Sequence, residues 1–206
     1  AANAIARGIQ TVLPDSSLTV LPLADGGEGT LEVLAGVYHS AQWKTIETVD
    51  PMGRPIQAQW LWLEKQKTAV IELARASGVH LLQEHERNPL LTSTRGTGLQ
   101  ILDAFSYQPE KIIVTLGGSA TVDGASGIAS ALGYRFFDVN DVELPMGGGA
   151  LVHLDRIDCS MVHPALKNIG FYCLVDVSNP LLGSNGAAMV YGPQKGASPS
   201  DVIILE

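Results

Sequence analysis

Basic residues are scarce in this 206-residue chain: 13 Lys and Arg stand against 21 Asp and Glu, and no two of the 13 are adjacent. A protein that grips nucleic acid neutralises phosphates with clustered Lys and Arg, so a net charge of −8 spread this way argues against a nucleic-acid partner. Cysteine is also scarce. Cys159 and Cys173 form no CxxC pair, and His163, four residues after Cys159, finds no further ligands nearby, which leaves zinc without support. Both cysteines read as reduced, packed residues of a cytosolic protein. No apolar run approaches the ~20 residues of a membrane span, and no secretory pattern opens the chain, so the expected location is cytoplasmic, with no membrane partner. GxGxxG, GK[ST], GxSxG and HExxH are all missing. Their absence weakens a dinucleotide oxidoreductase and removes a Walker A loop, a nucleophile elbow and a zincin. The five histidines (His39, His80, His85, His153, His163) are dispersed and read as surface or packing residues. No fixed-period repeat occurs, which removes a solenoid.

What the chain does have is apolar residues (46%) and glycine (22 residues), in a pattern that alternates strands with helices. Ile5, Ile9 and Val12 predict a first helix with Asn3 as its only candidate cap. Residues 18–23 predict a strand ending at a glycine loop, residues 25–30, before a helix carrying Leu31, Leu34, Ala35 and Tyr38 on one side. A hairpin with one buried face is expected at 44–49 and 56–63, then a strand at 68–73. Residues 95–98 read as a second glycine-rich turn leading into a helix toward Tyr107. Residues 111–116 read as a buried strand running into a third glycine loop and the small-residue helix 125–132. Strands are expected at 135–139 and 171–177, with a flexible turn at 147–149 between them. Both ends read as cut, since the chain starts without Met close to a helix and stops directly after an apolar stretch.

Five constellations carry possible chemistry. Gly117, Gly118, Ser119, Ala120 and Thr121 lie between a buried strand and a helix. Backbone N–H groups, two hydroxyls and a helix start suit a phosphate or carboxylate there; a tight connection that binds nothing has the same pattern. Asp25 and Glu28, among three glycines at a strand end, suit Mg²⁺ or the hydroxyls of a small polyol acid, or else cap the following helix. Arg95, before Gly96, Thr97 and Gly98, is a candidate anion clamp or a solvated cap. Asp176 is a candidate metal or hydroxyl contact near Asn179, with a turn-capping role open, and Lys195 in a stiff Gly-Pro-Gln-Lys-Gly turn can reach a phosphate.

Taken in order, the blocks ADGGEGT (24–30), IELA (71–74) with ASG (76–78), NPL (88–90) with GTG (96–98), GGSAT (117–121) with DG (123–124), DV (176–177) with NPL (179–181), and GPQKGA (192–197) resemble the bacterial-type glycerate kinases across nearly the whole chain. Val122 stands where that family usually has Asn, and Leu99 where it has Glu. The resemblance implies a two-domain α/β fold: a remnant of a Rossmann-like domain over residues 1–45 and an inserted α/β domain over 46–206. The family's opening strand and C-terminal part would lie outside this segment, and the segment by itself is expected to be inactive. The implied reaction is phosphorylation of D-glycerate by ATP with Mg²⁺, giving phosphoglycerate, the 2-phospho isomer, and a homo-oligomer is allowed. A truncated, non-catalytic ligand-binding relative is the alternative. On this resemblance Asp25, Glu28, Arg95 and Asp176 carry catalysis, with Asp176 as metal ligand. Residues 117–121, Gly96, Thr97, Gly98, Asn179 and Lys195 would bind phosphate or substrate.

Overall fold

The structure, a computed structural model, describes residues 2–206. In chain order, α1 (Ala2–Val12) and α2 (Thr30–Val37) precede a hairpin of β1 (Ala41–Val49) and β2 (Pro55–Leu63). Strand β3 (Thr68–Glu72) leads through α3 (Ala74–Ser77) and α4 (Arg95–Ala104) to β4 (Lys111–Thr115). There follow α5 (Ser126–Ala131), the small ribbon β5 (Arg135–Phe137) and β6 (Arg156–Asp158), β7 (Gly170–Leu174), α6 (Ala187–Tyr191) and α7 (Pro199–Leu205). Five strands form one mixed sheet in the order β1-β2-β3-β4-β7, antiparallel up to β3 and parallel from β3 to β7.

The two faces of this sheet explain its sequence. Side chains alternate across a strand, and here both faces are covered. Trp60, Trp62, Ala69, Ile71 and Ile112 pack with Ile101 and Phe105 of the α4 segment. Leu61, Leu63 and Val70 point the other way and pack on Leu31 of α2. Every residue of β3 is therefore buried. The hairpin keeps the expected half-buried alternation over β1 and the first half of β2, but at Leu61 and Leu63 the second face is covered as well, by Leu31, Leu34 and Ala35 of α2. Truncating a side chain such as Leu31, which is fully buried, should cost about 2–5 kcal/mol.

Several expected elements differ. Residues 18–23 form no strand; they are mostly exposed and pair with nothing in the sheet. Asn3 lies inside α1 rather than capping it, and α1 buries none of its described residues. The glycines at 95–98 are the first turn of α4, not a loop. Residues 148–153 form a 3₁₀ turn, and Gly148 is buried so closely that a Cβ there would lie 2.1 Å from the Val122 carbonyl oxygen. Strand β5 stops at Phe137, and β7 ends at Leu174. As an edge strand β7 is largely exposed, so Asp176 lies in a loop beyond an open edge, not at the end of a buried strand. Cys159 and Cys173 are both free, but exposed rather than packed. The domain junction expected near residue 45 falls inside β1, which runs unbroken from Ala41 to Val49.

Candidate active site

The ends of β4 and β7 and the loop before α2 meet at one point. The Leu116 N–H donates to the Leu174 carbonyl at 3.1 Å, and the Gly117 N–H donates to the Gly26 carbonyl at 3.0 Å. A Cβ on Gly117 would lie 2.5 Å from the Gly27 Cα, so only glycine allows these two backbones to touch. The 25–29 loop is fixed from behind by Glu72 of β3. Its carboxylate accepts from the Gly29 N–H at 3.4 Å and the Leu31 N–H at 3.3 Å, holding the N-terminus of α2. Burial pushes the Glu72 carboxyl above the usual range, against the opposing pull of those hydrogen bonds and of Arg75.

Residues 117–121 divide into anchored and open groups. Ala120 donates to the Ser77 carbonyl, and the Gly118 carbonyl accepts from Val79. The N–H groups of Gly118 and Ser119, by contrast, donate to nothing among the described residues. Gly118 is exposed with φ 74, a backbone that side chains rarely adopt. Lys195 closes the loop from the far end of the chain: its Nζ donates to Ser119 Oγ and to the Thr121 carbonyl, both at 2.7 Å. Burial of the ammonium lowers its pKa to about 8, partly offset by the charge of Asp123. Asp123 itself is fully engaged as a brace. It accepts from the N–H and hydroxyl of Thr94 at 2.8 Å each, and from the N–H groups of Ala125 and Gly127.

In front of this loop lies a cleft of about 630 Å³. Its walls bring together Gly117, Gly118, Ser119, Asp176, Asn179 and Lys195, residues far apart in sequence. Ala120 and Thr121 are buried beside the loop. Asn179 spends both ends of its amide on structure, donating to the Asn185 carbonyl and accepting from the Tyr191 hydroxyl. Asp25 and Glu28 stand on the adjoining loop. Glu28 Oε1 lies 3.2 Å from His80 Nδ1 and 3.2 Å from where a Gly118 Cβ would sit. Thus His80, expected only as a surface or packing residue, is paired with a carboxylate at the edge of the site.

The cleft walls do not include Arg95, Gly96, Thr97 or Gly98. Arg95 is exposed on α4. Gly96 lets α4 approach the Val49 carbonyl, where a Cβ would come within 1.9 Å; Gly98 makes room for Ala131 and Ile128 of α5. Thr97 is buried, its hydroxyl 2.8 Å from that of Ser77. These residues pack helices. The cation the walls do contain, beside Lys195, is Arg87, which no glycine motif marks.

Among the described residues no group of three or more His, Cys, Asp or Glu is placed to hold a metal ion, and no helix is long and apolar enough to cross a membrane. The exposed carboxylate of Asp176 makes no ion pair among the described residues. A single open carboxylate fits Mg²⁺ of the kind held mainly by substrate phosphates and water, and does not fit a dedicated cage.

A model of the glycerate kinase family matches residues 1–206. The chain is 43% identical over 206 residues to the glycerate kinase of Halalkalibacterium halodurans, covering 100% of this chain and 54% of that protein. It is 42% identical over 205 residues to the glycerate 2-kinase of Escherichia coli K12, again covering 100% and 54%. The crystal structure of a protein assigned as glycerate kinase 2 from Salmonella typhimurium LT2 superposes with a TM-score of 0.85 at 38% identity, over 98% of this chain and 54% of that one. The chain therefore spans about half the length of the curated relatives it matches.

Proposed function

The chain belongs to the glycerate kinase family, and on that premise we propose that the intact protein transfers the γ-phosphoryl group of ATP to D-glycerate in the cleft in front of residues 117–121. The product is phosphoglycerate, the 2-phospho isomer. The observation that carries the reading is the cluster of unspent donors: two free backbone N–H groups at Gly118 and Ser119, beside a lysine ammonium held by Ser119 and Thr121. Phosphoryl transfer asks little covalent chemistry of a protein. It asks for alignment of the acceptor hydroxyl with the γ-phosphate and for donors aimed where charge accumulates.

Each side chain has a part in this proposal. Lys195 and the open N–H groups hold a phosphate, and Gly118 lets it approach the backbone. Asp25 and Glu28, with His80 against Glu28, orient glycerate hydroxyls at the cleft edge. Asp176 would hold Mg²⁺, which when bound neutralises phosphate charge. Arg95, Gly96, Thr97 and Gly98 have no part in it: Arg95 is exposed outside the cleft walls, and the other three serve the packing of α4. The division into a Rossmann-like part (1–45) and an inserted part (46–206) belongs to the proposal too, with its junction moved to the start of β1. Measuring ADP release by the intact protein with Mg²⁺ and ATP tests the reading. D-glycerate should be turned over far faster than hexoses, hydroxypyruvate or L-lactate; equal or better rates with a hexose would sink it.

A further inference from the structure

Arg87 has surroundings that call for a ligand. Its Nε is buried and has no hydrogen-bond partner, and its guanidinium makes no ion pair among the described residues, although acidic residues outnumber basic ones by 21 to 13. The adjacent acid in sequence, Glu86, bonds to Arg54 instead. Arg75, Arg135 and Arg156 each have a carboxylate partner. A buried donor without a partner is rare in folded proteins and costly, so such a group demands a reason.

The local backbone supplies one. Gly196, at φ 96, packs directly on Arg87, and a Cβ there would lie 2.2 Å from the Arg87 carbonyl oxygen. This contact sets Arg87 beside the turn that carries Lys195, and both side chains line the same cleft. The charged side chains of its described walls are Arg87, Lys195 and Asp176, so the walls are net positive in a chain of net charge −8. The two cations are not equivalent. Lys195 already spends two N–H groups on Ser119 and Thr121 and acts as a point charge at the loop. Arg87 keeps a planar fork of unspent donors, whose shape matches the two oxygens of a carboxylate.

We propose that Arg87 grips the carboxylate of the substrate acid, while Lys195 and the open N–H groups of Gly118 and Ser119 take the phosphate. The assignment rests on the functional reading above. It explains how one cleft tells a hydroxy acid from a neutral polyol: without a carboxylate, the arginine stays unpaired.

Calorimetric titration of the intact protein separates the sources of negative charge, with D-glycerate, its neutral amide and ATP as ligands. Wild type should bind D-glycerate well above the amide. Arg87→Met should weaken D-glycerate by about 100-fold and abolish that preference, while ATP affinity changes by less than about 3-fold. Arg87→Lys, which keeps the charge and loses the fork, should weaken D-glycerate by about 10-fold. It also stands in should the Met variant fail to fold. Loss of ATP affinity with D-glycerate binding intact would place Arg87 on the nucleotide phosphates and overturn the assignment; so would unchanged binding of both. Turnover is scored separately: wild type that binds D-glycerate through Arg87 without phosphorylating it would sink the kinase reading and leave this assignment standing.

Discussion

Lys195 joins the end of the chain to the loop after β4, and its protonation is the sharpest pH-dependent feature of the site. Burial is the larger influence and lowers its pKa from 10.5 to about 8; the Asp123 charge opposes it. Below about 8 the ammonium is charged and can hold an anion. As pH rises through that value, the unliganded protein loses the charge, so kcat/KM for phosphoryl transfer should fall across the same range. Lys195→Arg, which keeps its proton far beyond this window, should abolish that alkaline limb even if its turnover is lower. A wild-type profile flat through pH 8 would remove Lys195 from the reacting charges. For folding the sign is opposite: the unfolded chain keeps this proton up to about 10.5, so the contribution of Lys195 to stability rises between about 8 and 10.5.

At the scale of elements, α4 is the clearest test of packing against ligand binding. Gly-to-Ala inside an exposed helix normally stabilises by about 1 kcal/mol. In α4 the Gly96 position faces the Val49 carbonyl at 1.9 Å from an added Cβ, a rigid backbone contact. Gly96→Ala should therefore lower stability by about 1–3 kcal/mol, read from urea unfolding. A variant as stable as wild type would show that α4 has room there. This element also shows where the sequence is ambiguous. Gly-Thr-Gly before a helix reads the same whether the glycines admit a ligand or a neighbouring strand, and only the position of Val49 decides. The strands were easier to read. Ile112 to Val114 is a short apolar run between turn signals, and the structure has β4 there. Residues 18–23 carry the same apolar signal without a strand, because pairing depends on partners that local pattern does not contain. Of the candidate site, the start of the glycine loop (117–119), Asp176 and Lys195 are legible as motifs, and the structure brings them to one cleft. Arg87 is not legible, since it lies outside every glycine motif, and its meaning comes from Gly196 packing on it from more than a hundred residues away.

For the whole molecule, the sheet order places the loops at one side of the cleft, and the turn at Lys195 closes it. Parallel pairing of β3, β4 and β7 brings three strand ends to one edge, where α/β proteins collect ligands. The loop before α2 reaches that edge because Glu72 holds it to β3. An acidic chain thereby presents net positive walls at one cleft, which concentrates small anions without a basic surface. On the proposed function, backbone donors at this edge hold the phosphoryl group passed to D-glycerate. Phosphorus NMR of the intact protein with ATP, Mg²⁺ and D-glycerate tests it most directly, run beside Gly118→Val. Valine is strained at φ 74, and its Cβ would come within 3.2 Å of Glu28 Oε1, so the variant closes the approach to the loop. Wild type should give a growing 2-phosphoglycerate signal, and the folded variant a rate at least about 100-fold lower. No phosphoglycerate from wild type, or product formed at the wild-type rate by folded Gly118→Val, would contradict it.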